Sequence, residues 1–527
     1  MTSAPSNLFT LNRRRFLQLM ATSSGFWALA ACSPVAPSEQ APAASATSGQ
    51  PQRGGAVSIA FSAPMTNLVP HRGFTLPDLT LERAFYESLG WADASDPTYP
   101  IRPLLAESWE ISEDGKVVTF KLRQDVKFSH GTSLTAEDVV YTFVKRILNP
   151  DFVYWQAPSV SYIDKVEAVD EQTVRFTLKQ RIASAVRDIA TLPIAPHDRT
   201  DEQMAKESAG TGAFKLAEYL PGDRVKLVRN EGYWEKKLPY LDEAQILLLP
   251  DAVTQVAALT GGTVDALWQL GTENLATLQV NADVKLVENK LGDYDIVVMR
   301  TTAKPFDDVR VRQALKHAVD RQALLKAVLQ GHGSVGNDQP IVPASPFWGN
   351  VPVAEYSVDK ARALLAEAGY DKGLELTLVY APIRPAWEAT AVTLQAMLKP
   401  AGITLTLEKA QVEGYWGGPF ANANFALSWG LGYIDPGMLL NTEYRSSAPF
   451  NATGWQNADL DKLIDEAVAS QDESKRKELY TQIQTLISEE AAVLIPYFRA
   501  DIKAMRRHVQ GLVADTIPNL REVSRDN

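Results

Sequence analysis

A chain of 527 residues with a single cysteine, Cys32, cannot staple itself. No disulfide can close within it, and a Cys-based structural metal site is excluded. The fold must therefore rest on apolar burial. The material is there, since 45% of residues are hydrophobic and 22% charged, ordinary for a soluble globular protein. Such a length exceeds one hydrophobic core and implies two or three domains. The histidines (His71, His130, His197, His317, His332, His508) are scattered without metal-ligand spacing, so neither a metal nor a cofactor is expected. A formal charge of -11 argues against a sequence-independent nucleic-acid binder.

The position of the cysteine says more than its count. Arg13, Arg14 and Arg15 precede Phe16-Leu17, and an apolar run from Leu17 ends at Leu29-Ala30-Ala31-Cys32. A basic start, a short apolar stretch and small residues before a cut site describe a secretory signal. At about fifteen residues the run falls short of the roughly 20 that a membrane span needs. Arg13 and Arg14 followed by Phe-Leu resemble a twin-arginine export signal. Leu-Ala-Ala-Cys resembles the lipobox of bacterial lipoproteins, in which the cysteine is lipidated and becomes the first mature residue. An ordinary signal with an incidental cysteine is the other reading, but the chain's sole cysteine falls at the lipobox position. Residues 1–31 are thus expected to be a signal peptide, and 32–53 a lipidated Cys32 with a disordered spacer rich in Ala, Pro and Ser. The mature protein would be extracytoplasmic and held to the cell membrane by lipid.

From Gly54 onward strand and helix signals intermix, which makes the class mixed α/β. Val118, Phe120 and Leu122 alternate on one face of a strand, and the run Val174 to Leu178 repeats the pattern. Asp307 or Asp308 can cap a helix striped by Val311, Ala314, Leu315 and Ala318, and Asp320 can start the next. Ser357 opens another, with Leu364, Leu365 and Ala368 inward and Gly369 as its stop. Two late helices are expected at Asp459–Ala469 and Glu473–Glu489.

Several blocks are recognisable together. Ala106-Glu107-Ser108-Trp109-Glu110, Asp114-Gly115-Lys116 and Thr119-Phe120-Lys121-Leu122-Arg123 lead into Leu134-Thr135-Ala136-Glu137-Asp138-Val139-Val140-Tyr141. Gly210-Thr211-Gly212-Ala213-Phe214, Asn230-Glu231-Gly232-Tyr233-Trp234 and Pro305-Phe306-Asp307-Asp308-Val309-Arg310 follow. Trp429 with Tyr433-Ile434-Asp435-Pro436, then Asn451-Ala452-Thr453-Gly454-Trp455, close the series. In this order they resemble the family 5 extracellular solute-binding proteins of ABC importers, the oligopeptide-, dipeptide- and nickel-binding group, from about Gly54 to about Gly511. The resemblance implies a two-lobed periplasmic-binding-protein type II fold with an extra subdomain on the first lobe. By motif placement, lobe I is 54–88, 208–298 and 504–527, the subdomain is 89–207 and lobe II is 299–503. A monomer that closes about its hinge on a small-molecule solute and hands it to an ABC importer permease is implied.

Ligand groups are expected on loops facing the cleft. By motif these are Phe74 and Thr75, Trp268 and Gln269, and Tyr294 in lobe I. In lobe II they are Tyr415, Trp416, Trp429, Gly432, Tyr433 and Asp435, with Tyr497 near the return crossing. Trp109, Trp234 and Trp455 read as packing, and the signature block 106–141 as fold maintenance. Peptide-binding members carry an Asp three residues after the Trp that matches Trp429, where its carboxylate pairs with the ligand's ammonium. Gly432 stands there instead, and Asp435 precedes Pro436 as a turn former. A peptide, an oligosaccharide or an opine-like solute remains open, with free-amine di- and tripeptides expected to bind poorly.

Enzyme motifs fail. Gly331-His332-Gly333-Ser334-Val335-Gly336 matches G-x-G-x-x-G, yet it follows a helix and runs into Pro340, and it reads as a loop near the hinge. No G-x-S-x-G, H-E-x-x-H or phosphate-loop pattern occurs. A secreted hydrolase and a receptor that signals to a membrane partner are the competing classes; no catalytic residue is expected.

Overall fold

The computed structural model describes residues 51–96, 98–490 and 492–526. Arg13, Arg14, Cys32 and the spacer up to residue 50 lie outside the described residues.

Two crossing strands organise the rest. The strand Val284–Met299 and the return strand Tyr497–Arg506 pair antiparallel in the middle of a 12-stranded sheet. Beyond the return strand follow Ala266–Leu267, Ala56–Phe61, Glu243–Leu248, Arg224–Arg229 and Phe214–Leu220. Beyond the long strand lie Phe425–Leu431, Leu374–Tyr380 and Ile403–Lys409. The register slips between Asn289 and Asp293, which bends the pair. Gly292 sits in that slip at φ +52, where a Cβ would come within 2.4 Å of the Arg499 carbonyl oxygen. Only glycine passes there.

The two ends of the long strand therefore serve different cores. One gathers Val57, Ile59, Phe61, Phe85, Ile246, Trp268 and Met505; the other gathers Val297, Met299, Leu315, Leu378, Trp387 and Leu427.

Residues 106–178 form a separate four-stranded antiparallel sheet, in the order Ala106–Ile111, Val117–Leu122, Thr173–Leu178, Ile163–Asp170. Val118, Phe120 and Leu122 are fully buried, and Phe120 meets Phe176 and Trp109. Asp114-Gly115-Lys116 is the connecting turn, with Gly115 at φ +69. The core of this sheet does not end within the segment. It runs on into Leu440, Ile464, Tyr480 and Ile483, and Ala183 N–H donates to the Val468 carbonyl at 2.8 Å.

Local chemistry explains the helices. Asp308 caps Val309–His317, Asp320 caps Arg321–Leu329 and Ser357 caps Val358–Glu367, each accepting a backbone N–H of the first turn. Val311, Ala314, Leu315 and Ala318 are buried, as their spacing requires. The late helices run Ala458–Ala469 and Glu473–Glu490. One expectation is corrected. The segment predicted as a loop at 331–336 contains a short strand, Gly333–Val335, paired to the return strand. Sequence alternation cannot reveal it, because its pairing depends on a partner more than a hundred residues away. Among the described residues no helix is long and apolar enough to cross a membrane.

Candidate functional site

Antiparallel pairing of the long strand with Phe425–Leu431 sets Asp293 opposite Leu431, Tyr294 opposite Gly430 and Asp295 opposite Trp429. The return strand sets Arg499 beside Asp293 from the other edge. Arg384, at the N-cap of the helix Pro385–Leu398, reaches the same place. Its guanidinium lies 4.6 Å over the Trp429 ring and 2.9 Å from Asp293. Arg499 pairs with Asp293 at 3.2 Å.

Asp295 anchors the floor. It is fully buried and accepts from Trp387 Nε1 at 3.0 Å and from Tyr497 Oη at 2.7 Å. Arg384 and Arg499 stand 3.7 and 3.6 Å from it. Two carboxylates and two guanidiniums thus share one patch. The side chains of Arg384, Arg499 and Asp293 keep 17%, 20% and 25% of their surface, enough for a solute to reach them. Buried charge is tolerable here because each group has an opposite partner.

Trp416 extends the patch as a half-exposed ring packed edge-on against Trp387 and Phe420. Such a surface can cover apolar parts of a solute, while Asp293 and Arg384 accept and donate hydrogen bonds to its polar parts.

The expected ligand residues divide into two groups. Trp429, Gly432, Tyr433 and Trp416 lie on or beside this patch, with Tyr294 and Tyr497 beneath it. Tyr294 is fully buried, and Tyr497 is spent on Asp295 and on Thr390 at 2.7 Å. Tyr415 is also buried, donating to the Val379 and Leu427 carbonyls. Expected on a cleft surface, these three rings are buried: strand register points Tyr294 and Tyr497 into the cores, and Tyr415 packs against Trp416 and Phe420.

The first-lobe candidates have other neighbours. Phe74 is exposed, whereas Thr75 caps the helix Leu76–Phe85 and donates to the Pro64 carbonyl. Trp268 is fully buried, its Nε1 on Thr516 and its ring under Lys503 Nζ. Gln269 accepts from Ser62.

Gly432 and Asp435 decide what the site can read. A Cβ at Gly432 would lie 2.0 Å from the Leu291 carbonyl oxygen and 2.9 Å from Val342, so this backbone has no room for a side chain. Asp435 accepts from Gly437 N–H at 3.0 Å, as a turn former should, and from Arg476 at 2.5 Å and Tyr480 at 3.3 Å. No carboxylate therefore faces the patch from either position.

Sequence reasoning missed Asp293, Asp295, Arg384, Arg499 and Trp387. One signal was available: Asp295 interrupts the apolar run Ile296-Val297-Val298-Met299, and a charge inside a central strand marks a site or a buried ion pair.

A cavity of about 1160 Å³ opens between residues 147–188 and 437–468, lined by Phe152, Tyr162, Asp188, Asn441 and Arg445 among others. None of the expected ligand residues lines it. Among the described residues no group of His, Cys, Asp and Glu is arranged to hold a metal.

Known proteins share this fold. The sequence model of the bacterial extracellular solute-binding proteins, family 5 (middle), matches residues 100–451. A heme-binding protein A of Haemophilus influenzae is 31% identical over 429 residues, covering 74% of this chain and 78% of the relative. A dipeptide-binding protein of Escherichia coli K12 is 29% identical over 457 residues, 80% of this chain and 85% of the relative. The solved structure of the binding protein AgaA of A. tumefacien R10 in complex with agropinic acid superimposes with a TM-score of 0.77 at 25% identity, over 90% of this chain and 99% of that one. The fold is that of the type II periplasmic binding proteins.

Proposed function

The chain belongs to the family 5 extracellular solute-binding proteins, the substrate-binding proteins of ABC importers, and from that premise we propose that its solute is polar and is not a free-amine peptide. The members of this family are extracytoplasmic binding proteins rather than enzymes. The observation that carries the proposal is that the site has no carboxylate to spare, since Asp293 and Asp295 are paired with Arg384 and Arg499. Gly432 leaves no space for one, and Asp435 is committed to Arg476 and Tyr480. A peptide's ammonium brought beside Trp429 would meet the Arg384 guanidinium and carboxylates already paired with Arg384 and Arg499, and a buried charge without a free opposite partner is strongly disfavoured. The solute would instead lie on Trp416 and Trp429, with Arg384 and Asp293 meeting its polar groups. An oligosaccharide or an opine-like conjugate has that make-up. Relatives named for heme and for a dipeptide, and a neighbour holding agropinic acid, support a scaffold whose solute is set by local residues.

Capture would proceed by closure of lobe II (299–503) on lobe I (54–88, 208–298, 504–527) and its subdomain (89–207), about the crossing strands. A solute that turns a mostly open population into a mostly closed one must favour the closed form by about 5.5 kcal/mol. Contacts from both sides of the cleft are needed for that. Export by the twin-arginine route and lipidation of Cys32 would keep the receptor at the membrane, beside its permease.

Calorimetry with di- and tripeptides, free and N-acetylated, tests the specificity. Weak binding of both sets is the expected result, and tight binding lost on acetylation contradicts it. Small-angle scattering with the bound solute should show a smaller radius of gyration.

A further inference from the structure

Beside Gly432 lies a group of polar side chains with no partner outside the group. The turn Leu440–Tyr444 follows Asp435-Pro436 and carries Glu443 and Tyr444. Asn441, Thr442 and Arg445 face the cavity at residues 147–188. Glu443 and Tyr444 face the other way, toward Tyr294 and Tyr433, and the charge of Glu443 acts on all three phenols. Tyr294 and Tyr444 are buried, and their hydroxyls meet each other but make no hydrogen bond of normal geometry with any side chain or backbone group. The Tyr294 hydroxyl lies against Gly430, where a Cβ would be 2.5 Å from it; that is two residues from Gly432. Glu443 is itself partly buried, and burial alone, with no ion pair or hydrogen bond opposing it, pushes its carboxyl up to about 7.

Two buried hydroxyls that meet only each other, beside a carboxyl with no partner, are unusual in a folded protein, where buried polar groups nearly always find partners. A carboxylate with phenol oxygens around it matches one kind of guest, a protonated nitrogen that still carries N–H donors. The carboxylate supplies the opposite charge, the phenol oxygens accept the remaining N–H bonds, and the aromatic rings favour a cation nearby.

We propose that Glu443, with the hydroxyls of Tyr294 and Tyr444, forms a pocket for a protonated amine nitrogen of the solute. The inference rests on the reading that the patch around Trp429 is the solute site. It refines the solute class: with no carboxylate at Gly432, the cation is received eleven residues further along the chain, by Glu443. A secondary ammonium within an opine-like conjugate, or the amine of an amino sugar, has the required donors.

The test is calorimetry with matched pairs of solutes, each as the amine and as its N-acetyl derivative: dipeptides, N-carboxyalkyl amino acids and amino sugars. The full protein is compared with Glu443→Gln and Tyr444→Phe, and a thermal melt accompanies each. At least one pair should show an amine preference of about tenfold or more in the parent protein, the strength of a charge-assisted hydrogen bond. Glu443→Gln should abolish that preference without lowering Tm, because the side chain has no structural partner to lose. Tyr444→Phe, which keeps the ring, should cost about fivefold. A panel without any amine preference, or a preference that survives Glu443→Gln, overturns the proposal. The two readings fail separately. An amine preference confined to dipeptides and lost in Glu443→Gln keeps the Glu443 pocket and removes the non-peptide solute. A tight neutral solute indifferent to Glu443→Gln removes the pocket and keeps the receptor.

Discussion

Arg476 donates to Asp435 at 2.5 Å across forty residues of chain, and both side chains are at least nine-tenths buried. The Arg476 guanidinium also lies over the Phe347 ring at 4.6 Å. This pair is the reason that Asp435, the first carboxylate after Gly432 in sequence, does not serve the solute patch. Breaking a buried pair by removing one partner strands the other charge, at a cost of about 3–5 kcal/mol. Arg476→Ala should therefore lose stability of that order in urea unfolding. A loss below about 1 kcal/mol, the range of a surface ion pair, would mean that Asp435 is solvated and free to bind.

Restoring the missing carboxylate should not restore a peptide receptor. Gly432→Ala and Gly432→Asp both place a Cβ against the Leu291 carbonyl oxygen. Each is expected to destabilise by about 1–3 kcal/mol through overpacking, and calorimetry of Gly432→Asp should show no gain of peptide binding.

Asp188 makes stability depend on pH. Burial, then the charge of Asp435, push its carboxyl up to about 7, against the hydrogen bonds from Ser184 and Tyr162 and the charge of Arg187. In the unfolded chain it ionises near 3.8, so between about pH 4 and 7 the unfolded state loses this proton first. This contribution to stability is complete in acid, falls across that window and stays low above it. Asp188→Asn removes the effect. The variant should equal the parent at pH 3 and exceed it by about 4 kcal/mol at pH 8, read from denaturant unfolding at both pH values.

Cys32→Ser should move the protein from the membrane fraction to the soluble one and leave solute binding unchanged. Mass spectrometry of the mature parent protein should find a lipid on its first residue, Cys32; a different first residue or an unmodified one contradicts the anchor.

Local chemistry made much of the fold legible. Asp308, Asp320 and Ser357 announce their helices because a cap needs only the next turn, and Val118, Phe120 and Leu122 announce a strand because period two is a local property. The patch was illegible for the opposite reason. Asp293, Arg384 and Arg499 share no motif, and strand register alone brings them together. Aromatic residues were ambiguous as well. Trp268 and Trp416 look alike in sequence, yet one is closed off by a carbonyl 248 residues away and the other keeps 43% of its surface. Gly432 was readable as a departure from the peptide-binding pattern. That no other residue fits there follows only from the Leu291 carbonyl.

Native mass spectrometry of the mature protein, purified without denaturation from its own cell envelope, tests the central claim most directly. The account predicts a single polar solute retained at one per chain, with a mass that matches no free-amine di- or tripeptide, and released on unfolding. A co-purified free-amine peptide, bound at the same stoichiometry, would contradict it.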